Sequence, residues 1–339
     1  MSIFITGGSG FVGLNLAALL LARGEQVTLF SASAPLAGAI EELSHLPGKL
    51  SVVAGDVTDA AALGAALRAS GAKRVIHAAA ITAGPERDAR DPQRVVAVNL
   101  GGTLNMLEAA RAAGVMRYVQ ASTGAVYGAA SHAAEPLGIG EDSHLPLPST
   151  MYGISKFAAE RAVLHLGELW GMDVVAGRLA VVFGPWEYQT GLRDRMSALW
   201  QLVRIARCGD AGGEAVIPAA GVQDWIYAPD VARSLVALLD APQLPHRLYH
   251  LGAGRPWGLA AWAAKLAARY PAFRYRVSDV DADWTVAARG PVGRTPFNIA
   301  RLRADLGFAP QFDLDSGFAH YMDWLDAHPD VWRDVPLIS

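Results

Sequence analysis

Short apolar runs alternate with longer runs of helical period through the first half of this chain. The predicted strands are Met1–Ile5, Gln26–Phe30, Leu50–Ala54, Arg74–His77, Arg117–Ala121 and Asp173–Ala180. Between them lie apolar-striped helical stretches at Phe11–Ala22, Leu36–Leu46, Ala60–Ala69, Pro92–Ala113 and Met151–Gly171. Strand–helix alternation of this kind predicts an α/β protein: a parallel sheet covered by helices on both faces, because each crossover lays its helix on the sheet.

The rhythm is interrupted at Ser131–Thr150, where proline, glycine and polar residues predict a long loop, and it fails beyond Gly184-Pro185. From Trp186 to Ala220 aromatic, Arg and Gly residues come in mixed order, followed by QDWIYAPD (Gln223–Asp230) and a helix at Val231–Leu239. The expected organisation is a nucleotide-binding domain over 1–185 and a mainly substrate-binding lobe over 186–339. Later returns to the sheet are expected around 222–252 and 295–308.

In such a sheet, ligands lie beyond the carboxyl ends of the strands. The first strand runs into TGGSGFVG (Thr6–Gly13) and then a helix, which places Gly7, Gly10 and Gly13 on a tight turn and the first helical turn. This is the context a Rossmann-type dinucleotide site requires: glycines admit a pyrophosphate close to the backbone, and the helix start favours its charge. The later strand ends carry Ser31, GDVTD (Gly55–Asp59), HAAAIT (His77–Thr82) and STGAVYG (Ser122–Gly128). Ala180 ends the sixth strand, and all these segments are expected to converge on one crevice. Tyr152 and Lys156, four residues apart on a predicted helix, share a face. An ammonium beside a phenol favours the phenolate, as a proton acceptor needs; taken alone, the same spacing also fits simple packing.

Composition narrows the partners. The 339 residues carry a net charge of -3, with acidic and basic residues intermixed, which gives no reason to expect nucleic acid or an anionic membrane surface. Cys208 stands alone, so neither an intrachain disulfide nor a cysteine–zinc cluster is expected, and a reducing cytoplasm is the expected setting. No apolar stretch near the start is long enough to span a bilayer. No metal site is expected.

The motifs TGGSGFVG, GDVTD, HAAA, VNLGGTLNMLEAA (Val98–Ala110), STGAVYG, YGISK (Tyr152–Lys156) and GP (Gly184-Pro185) occur together and in order. In this the chain resembles the extended short-chain dehydrogenase/reductase family, which includes nucleotide-sugar epimerases, dehydratases and several dehydrogenases. The likeness runs to about Pro185, with looser matches at QDWIYAPDVA (Gln223–Ala232) and LRADLGF (Leu302–Phe308). The resemblance implies that Tyr152 transfers the proton, that Lys156 assists it and holds the nicotinamide ribose, and that Thr123 bonds the reacting oxygen with Ser122 as understudy. It also implies that Phe11 and Val12 present backbone to the pyrophosphate, that Asp56 and Val57 meet the adenine, and that Ala78, Ala79 and Ala80 flank the cofactor. Asn99 is expected as a further cofactor contact; its alternative role is a helix-internal amide bonded to a neighbouring loop. His77 reads as a packed strand-end residue. A homodimer through the helices Pro92–Ala113 and Met151–Gly171 is also implied by resemblance.

Several positions depart from the family. FSAS (Phe30–Ser33) lacks the acid that would bond the adenosine ribose of NAD and also lacks an Arg for the 2′-phosphate of NADP, so either cofactor is allowed. Gly124-Ala125 replaces the Asp-Glu pair of the sugar-nucleotide 4,6-dehydratases. Val181 and Gln223 stand where epimerases often carry an Asn and an Arg for the nucleotide. A smaller substrate is therefore expected. Thr82, Trp186 and Arg193 are expected at its site, with an Arg fork available for a carboxylate unless Glu187 or Asp194 already holds it. The leading expectation is an NAD(P)-dependent oxidoreductase acting on a secondary alcohol of a small sugar or sugar acid. The alternatives are a nucleotide-sugar epimerase and a non-catalytic dinucleotide sensor.

Overall fold

The computed structural model describes residues 2–132, 138–209, 213–219, 221–286 and 295–331. The first half builds the sheet through β1 (Ser2–Thr6), α1 (Phe11–Ala22), β2 (Gln26–Ser31), α2 (Ala37–Ser44), β3 (Lys49–Ala54), α3 (Ala60–Ser70) and β4 (Arg74–His77). Next come α4 (Pro85–Arg90), α5 (Pro92–Val96), α6 (Gly102–Ala112), β5 (Arg117–Thr123), α7 (Met151–Trp170), β6 (Val174–Leu179) and β7 (Val181–Phe183). The second half adds α8 (Ala198–Cys208), β8 (Glu214–Pro218), β9 (Val222–Tyr227), α9 (Ala228–Asp240), β10 (Leu248–Leu251), β11 (Pro256–Gly258), α10 (Leu259–Arg269) and β12 (Arg274–Ser278). It closes with α11 (Ala300–Leu306) and α12 (Leu314–Ala327).

Seven strands form one parallel sheet in the order β10-β6-β5-β4-β1-β2-β3. The order reverses beside β1, between β2 and β4, which is where a doubly wound sheet opens a crevice. Period-2 alternation fills both faces: Ile3 and Ile5 pack with α1 and α9, whereas Phe4 packs on the opposite face with Leu63, Met106 and Leu107 of α3 and α6. A second core joins α8, α10 and α12 around Trp225, Tyr227, Trp262 and Tyr321. Its sheets are small, β11-β9-β7 and β12-β8. Of the expected later returns, β10 pairs with β6 in the main sheet, while β9 pairs with β7 and β11.

Three expectations change locally. Pro92–Ala113 is broken: α5 gives way to a single π-helical turn at Ala97–Gly101 before α6 begins. Gly102 presses so closely on the loop after β3 that an added Cβ would lie 2.4 Å from Val57 Cγ2. β5 runs two residues further than expected, to Thr123, and Gly124–His132 winds into 3₁₀ turns. The long-loop expectation at 131–150 falls partly on 133–137, outside the described residues. Finally, the chain leaves β6 at Ala180 and enters β7 at once, turning from the main sheet into the smaller one.

Candidate active site

The glycine turn is pinned by backbone bonds and by Ser31 Oγ, which accepts the Ser9 N–H at 2.8 Å. Gly7, at φ +67°, donates its N–H to Phe30 O at 2.9 Å, and an added Cβ there would meet Ala79 N at 2.7 Å. Only glycine tolerates both the left-handed conformation and the close strand. Gly13 sits against the same turn, where a Cβ would be 2.4 Å from Gly7 O. At Gly10, which caps α1, no side chain bonds the helix's first amides, so the start of α1 remains a ready anion cradle.

The cradle is one end of a cavity of about 560 Å³. Its walls include the expected Gly7, Gly10, Phe11, Val12, Gly13, Ser31, Asp56 and Val57 at one end. Ala78, Ala79, Ala80, Thr82, Tyr152, Lys156, Ala180, Ser122, Thr123 and Arg193 line the rest. The strand ends therefore meet as their position in a doubly wound sheet requires. A glycine cradle leading to a Tyr–Lys pair fits a dinucleotide: the turn would hold the pyrophosphate, and Lys156 and Tyr152 would flank the nicotinamide end.

Lys156 is 2% exposed and donates Nζ to Ala121 O at 2.6 Å. Burial lowers its pKa to about 8, opposed by the carboxylate of Glu160 one turn along α7. Thr150 caps α7 by accepting Gly153 N–H at 3.1 Å, which sets Tyr152 in the first turn. Thr123 and Ser122 are no longer equivalent. Thr123 Oγ1 accepts the Ala125 N–H at 3.1 Å and keeps its proton to donate, whereas Ser122 Oγ donates to Glu160 Oε2 at 2.6 Å.

Two expected contacts stand elsewhere. Asn99, fully buried in the π turn, accepts Ile81 N–H at 2.8 Å and donates to Ile81 O and Ser155 Oγ at 3.0 Å each. Its amide is spent on fixing the strand-end loop behind the cavity wall, the alternative role its sequence position allowed. Trp186, expected at the substrate, is 2% exposed and packs edge-on to Trp324 and His328, with ring centroids 4.9 and 5.3 Å away. It is the one non-glycine residue at positive φ (+65°) among those described, and that backbone turns its ring into the core.

Arg193 lines the cavity over the Phe11 ring, but its fork is engaged by Glu187 at 3.0 Å. His77 is buried between two hydroxyls. Because Thr103 Oγ1 donates to Asn99 O, His77 Nε2–H donates to Thr103 and its Nδ1 accepts from Thr6 Oγ1 at 2.6 Å. Burial and the Lys156 charge lower its pKa to about 3, which leaves it neutral and structural. At Asp56, burial pushes the pKa up, but hydrogen bonds from Thr58 and Arg94 outweigh it and hold the carboxyl below its usual value.

Sequence reasoning missed residues that lie far from the motifs. Tyr188 lines the cavity and donates its hydroxyl to Ser9 O at 2.5 Å, tying the segment after Pro185 to the glycine turn. Asp224 accepts Ala253, Gly254 and Phe297 N–H bonds, which seats Phe297 at the far end of the cavity. Burial raises the Asp224 pKa to about 6, against those three bonds. Phe297 stacks on His250 at 4.1 Å, and an added Cβ on Gly124 would lie 2.8 Å from its ring tip. Asp224 lies in the quoted QDWIYAPDVA stretch, but only the fold joins it to Ala253, Gly254 and Phe297, so the sequence carried no sign of this role.

Residues 3–252 match the model of the NAD-dependent epimerase/dehydratase family. The chain belongs to that family. It is thus an enzyme of the NAD-dependent short-chain dehydrogenase/reductase type. Family relatives include a probable UDP-glucuronate 4-epimerase of Rhizobium meliloti (strain 1021), 27% identical over 354 residues and covering 96% of this chain and 97% of that one. A 3 beta-hydroxysteroid dehydrogenase/Delta 5-->4-isomerase of Mycobacterium tuberculosis (strain ATCC 25618 / H37Rv) is 36% identical over 188 residues, 54% of this chain and 47% of its own length. Among solved family structures, the UDP-glucose 4-epimerase of Thermus thermophilus in complex with NAD matches with a TM-score of 0.77 and 25% identity, covering 97% of this chain and 100% of that one.

Proposed function

We propose that this enzyme is a dehydrogenase that removes hydride from a secondary alcohol of a small, uncharged, sugar-type substrate. The observation that carries the reading is the state of the cations. Among the described lining residues each is engaged: Arg94 by Asp56, Arg193 by Glu187, Arg195 by Glu86 and Lys156 by a carbonyl. A nucleoside diphosphate is ordinarily recognised by such forks, and the substrate end here offers Val181, Gln223 and Phe297 instead. The engaged Arg193 likewise favours a neutral sugar over a sugar acid. Residues beyond Pro185 supply most of this end. Elimination by an acid after Thr123 is disfavoured too, because Gly124 has Phe297 against it.

Bound dinucleotide supplies the hydride acceptor. Tyr152 accepts the hydroxyl proton as the adjacent C–H leaves as hydride, giving ketone and reduced cofactor. Thr123 donates its O–H to the oxygen, and Lys156, one turn along α7 from Tyr152, holds the nicotinamide ribose. NADP is admitted alongside NAD because hydroxyls, Ser9, Ser31 and Ser33, line the place of the selecting acid.

Absorbance at 340 nm with either cofactor and a panel of sugars and polyols tests the reading. Tyr152→Phe is expected to lower turnover by about 10²–10⁴ with NADH affinity kept; turnover unchanged by this substitution overturns the role given to Tyr152, whereas NADH binding without turnover in wild type leaves the non-catalytic dinucleotide-sensor reading. An epimerase is the second reading, favoured by the relatives matched over nearly their full length. It predicts no net NADH and an epimerised sugar on chromatography.

A cytoplasmic homodimer through α6 and α7 is part of the proposal, supported by the exposed apolar Ile154 and Leu169 on α7. Light scattering that gives a monomer mass at micromolar concentration contradicts it. No helix among the described residues is long and apolar enough to cross a membrane.

A further inference from the structure

Between β7 and α8 the chain makes a loop, 188–196, whose base is closed by one buried carboxylate. Glu187 accepts the Ser197 N–H at 2.6 Å and the Ser197 O–H at 2.7 Å, which holds the two ends of the loop together. Tyr188, Thr190, Leu192, Arg193 and Arg195 of this loop line the cavity. The loop touches both lips of the crevice, the glycine turn after β1 and the segment after β4. On the first side Tyr188 OH donates to Ser9 O at 2.5 Å, and the Arg193 guanidinium lies over the Phe11 ring, 5.6 Å from its centroid. On the second side Thr82 N–H donates to Leu192 O at 2.8 Å and Asp194 N–H to Thr82 O at 3.2 Å, a short parallel bridge.

The second attachment is reinforced by α4. Asp194 accepts the Gly84 N–H at 2.8 Å, and Arg87 grips the same carboxylate through Nε at 2.8 Å and Nη2 at 2.6 Å, while Nη2 also donates to Gly191 O at 2.8 Å. Both side chains are only 17% exposed, so salt and water screen the pair less than an open surface pair. Asp88, the next residue of α4, accepts the Met151 N–H at 3.1 Å, just before Tyr152. The loop is thus fastened to a helix that also holds the start of α7.

A dinucleotide running from the glycine turn to Lys156 would pass both lips that this loop joins. We infer that 188–196 is a strap that gates the dinucleotide and that the Arg87–Asp194 pair is its latch, so that cofactor enters and leaves only when the pair opens. The inference rests on a dinucleotide lying at the glycine turn, not on the substrate or direction of the hydride step. The latch is made by protein groups alone, so it resists opening equally before and after binding. Breaking it speeds entry and release by the same factor and leaves Kd unchanged, whereas loss of a mere cofactor contact speeds release and weakens Kd.

NADH association and dissociation rates are measured by stopped-flow fluorescence in wild type, Arg87→Met, Asp194→Asn and the double variant, with thermal unfolding alongside. Asn at 194 keeps an acceptor for the Gly84 N–H and removes the charge. Each single variant is expected to raise both rates about 10-fold, the lower end for a charge-assisted fork. The double variant is expected to go no further than the larger single effect, because the two residues act as one latch. Tyr188→Phe, which frees the other end, is expected to raise both rates about 5-fold, the worth of one net hydrogen bond, and keeps the test open should a latch variant fail to fold.

Unchanged rates overturn the inference, as does faster release with entry unchanged, or a double variant whose effect is the product of the two singles. Absence of NADH binding in wild type also overturns it. Parallel rate changes in an enzyme that reduces NAD with no alcohol uphold the strap and count against the dehydrogenase reading.

Discussion

Gly13→Ala is the sharpest test of how the glycine turn works. The added Cβ would lie 2.4 Å from Gly7 O, 2.6 Å from Gly8 Cα and 2.7 Å from Gly8 O. All three are backbone atoms, so no rotamer change relieves the contact; either the turn or α1 must move by roughly 1 Å to reach ordinary packing distance. The turn resists, because Gly7 N–H bonds Phe30 O and Gly10 N–H bonds Gly7 O, at 2.9 and 3.0 Å. Overpacking of this kind costs about 1–3 kcal/mol, and a turn bond lost in relief adds about 1 kcal/mol. Alanine's better helix propensity returns about 1 kcal/mol. The net is a loss of about 1–3 kcal/mol, or about 1–4 °C in Tm for a chain of this size.

Cofactor affinity should suffer more. Shifting the turn withdraws amides aimed at the pyrophosphate, and one charge-assisted bond is worth about 1.5–3 kcal/mol, a 10- to 150-fold weaker Kd. Both quantities are measured together, by thermal unfolding and by NADH fluorescence titration. Gly38→Ala in α2 is the control: nothing lies within 4 Å of its added Cβ, so a gain of about 0.4–1 kcal/mol with unchanged NADH affinity is expected. If Gly13→Ala behaves like Gly38→Ala, stabilised and binding NADH normally, the close packing of turn and helix is refuted.

Gly124→Ala, whose Cβ would lie 2.8 Å from Phe297 Cζ, should displace the ring at the substrate end. It is expected to raise KM about 5- to 30-fold, from about 1–2 kcal/mol of misfit, while NADH affinity stays as in wild type. Lys156 should impose an alkaline limit on cofactor binding: with its pKa lowered to about 8, the ammonium is lost above that pH, so NAD binds more weakly at pH 9 than at pH 7 in a fluorescence titration. The sign for stability is opposite. The folded pKa lies below the unfolded one, so burying the charged amine weakens the fold below pH 8, and that penalty is relieved as pH rises from 8 toward the lysine's ordinary value.

What the sequence determined by itself was local chemistry. The apolar runs and their periods determine the parallel sheet, because a strand buried on both faces and a striped helix each have one stable place in it. The strand–glycine–helix order in Thr6–Gly13 determines where a pyrophosphate can lie, and four-residue spacing places Tyr152 and Lys156 on one helix face whatever surrounds them. Tertiary structure decided the rest, because hydrogen-bond capacity and packing depend on partners far along the chain. Asn99 and Trp186 had plausible site chemistry in sequence, yet Ile81 and Ser155 consume the amide, and Trp324 and His328 enclose the indole. In the sequence Arg193 could fork onto a substrate carboxylate or pair with Glu187 or Asp194, and the fold pairs it with Glu187. Ser122 and Thr123 are adjacent hydroxyls in the sequence; consecutive positions on β5 turn them to opposite faces, and α7 brings Glu160 to Ser122, which donates to it, while Thr123 Oγ1 accepts the Ala125 N–H.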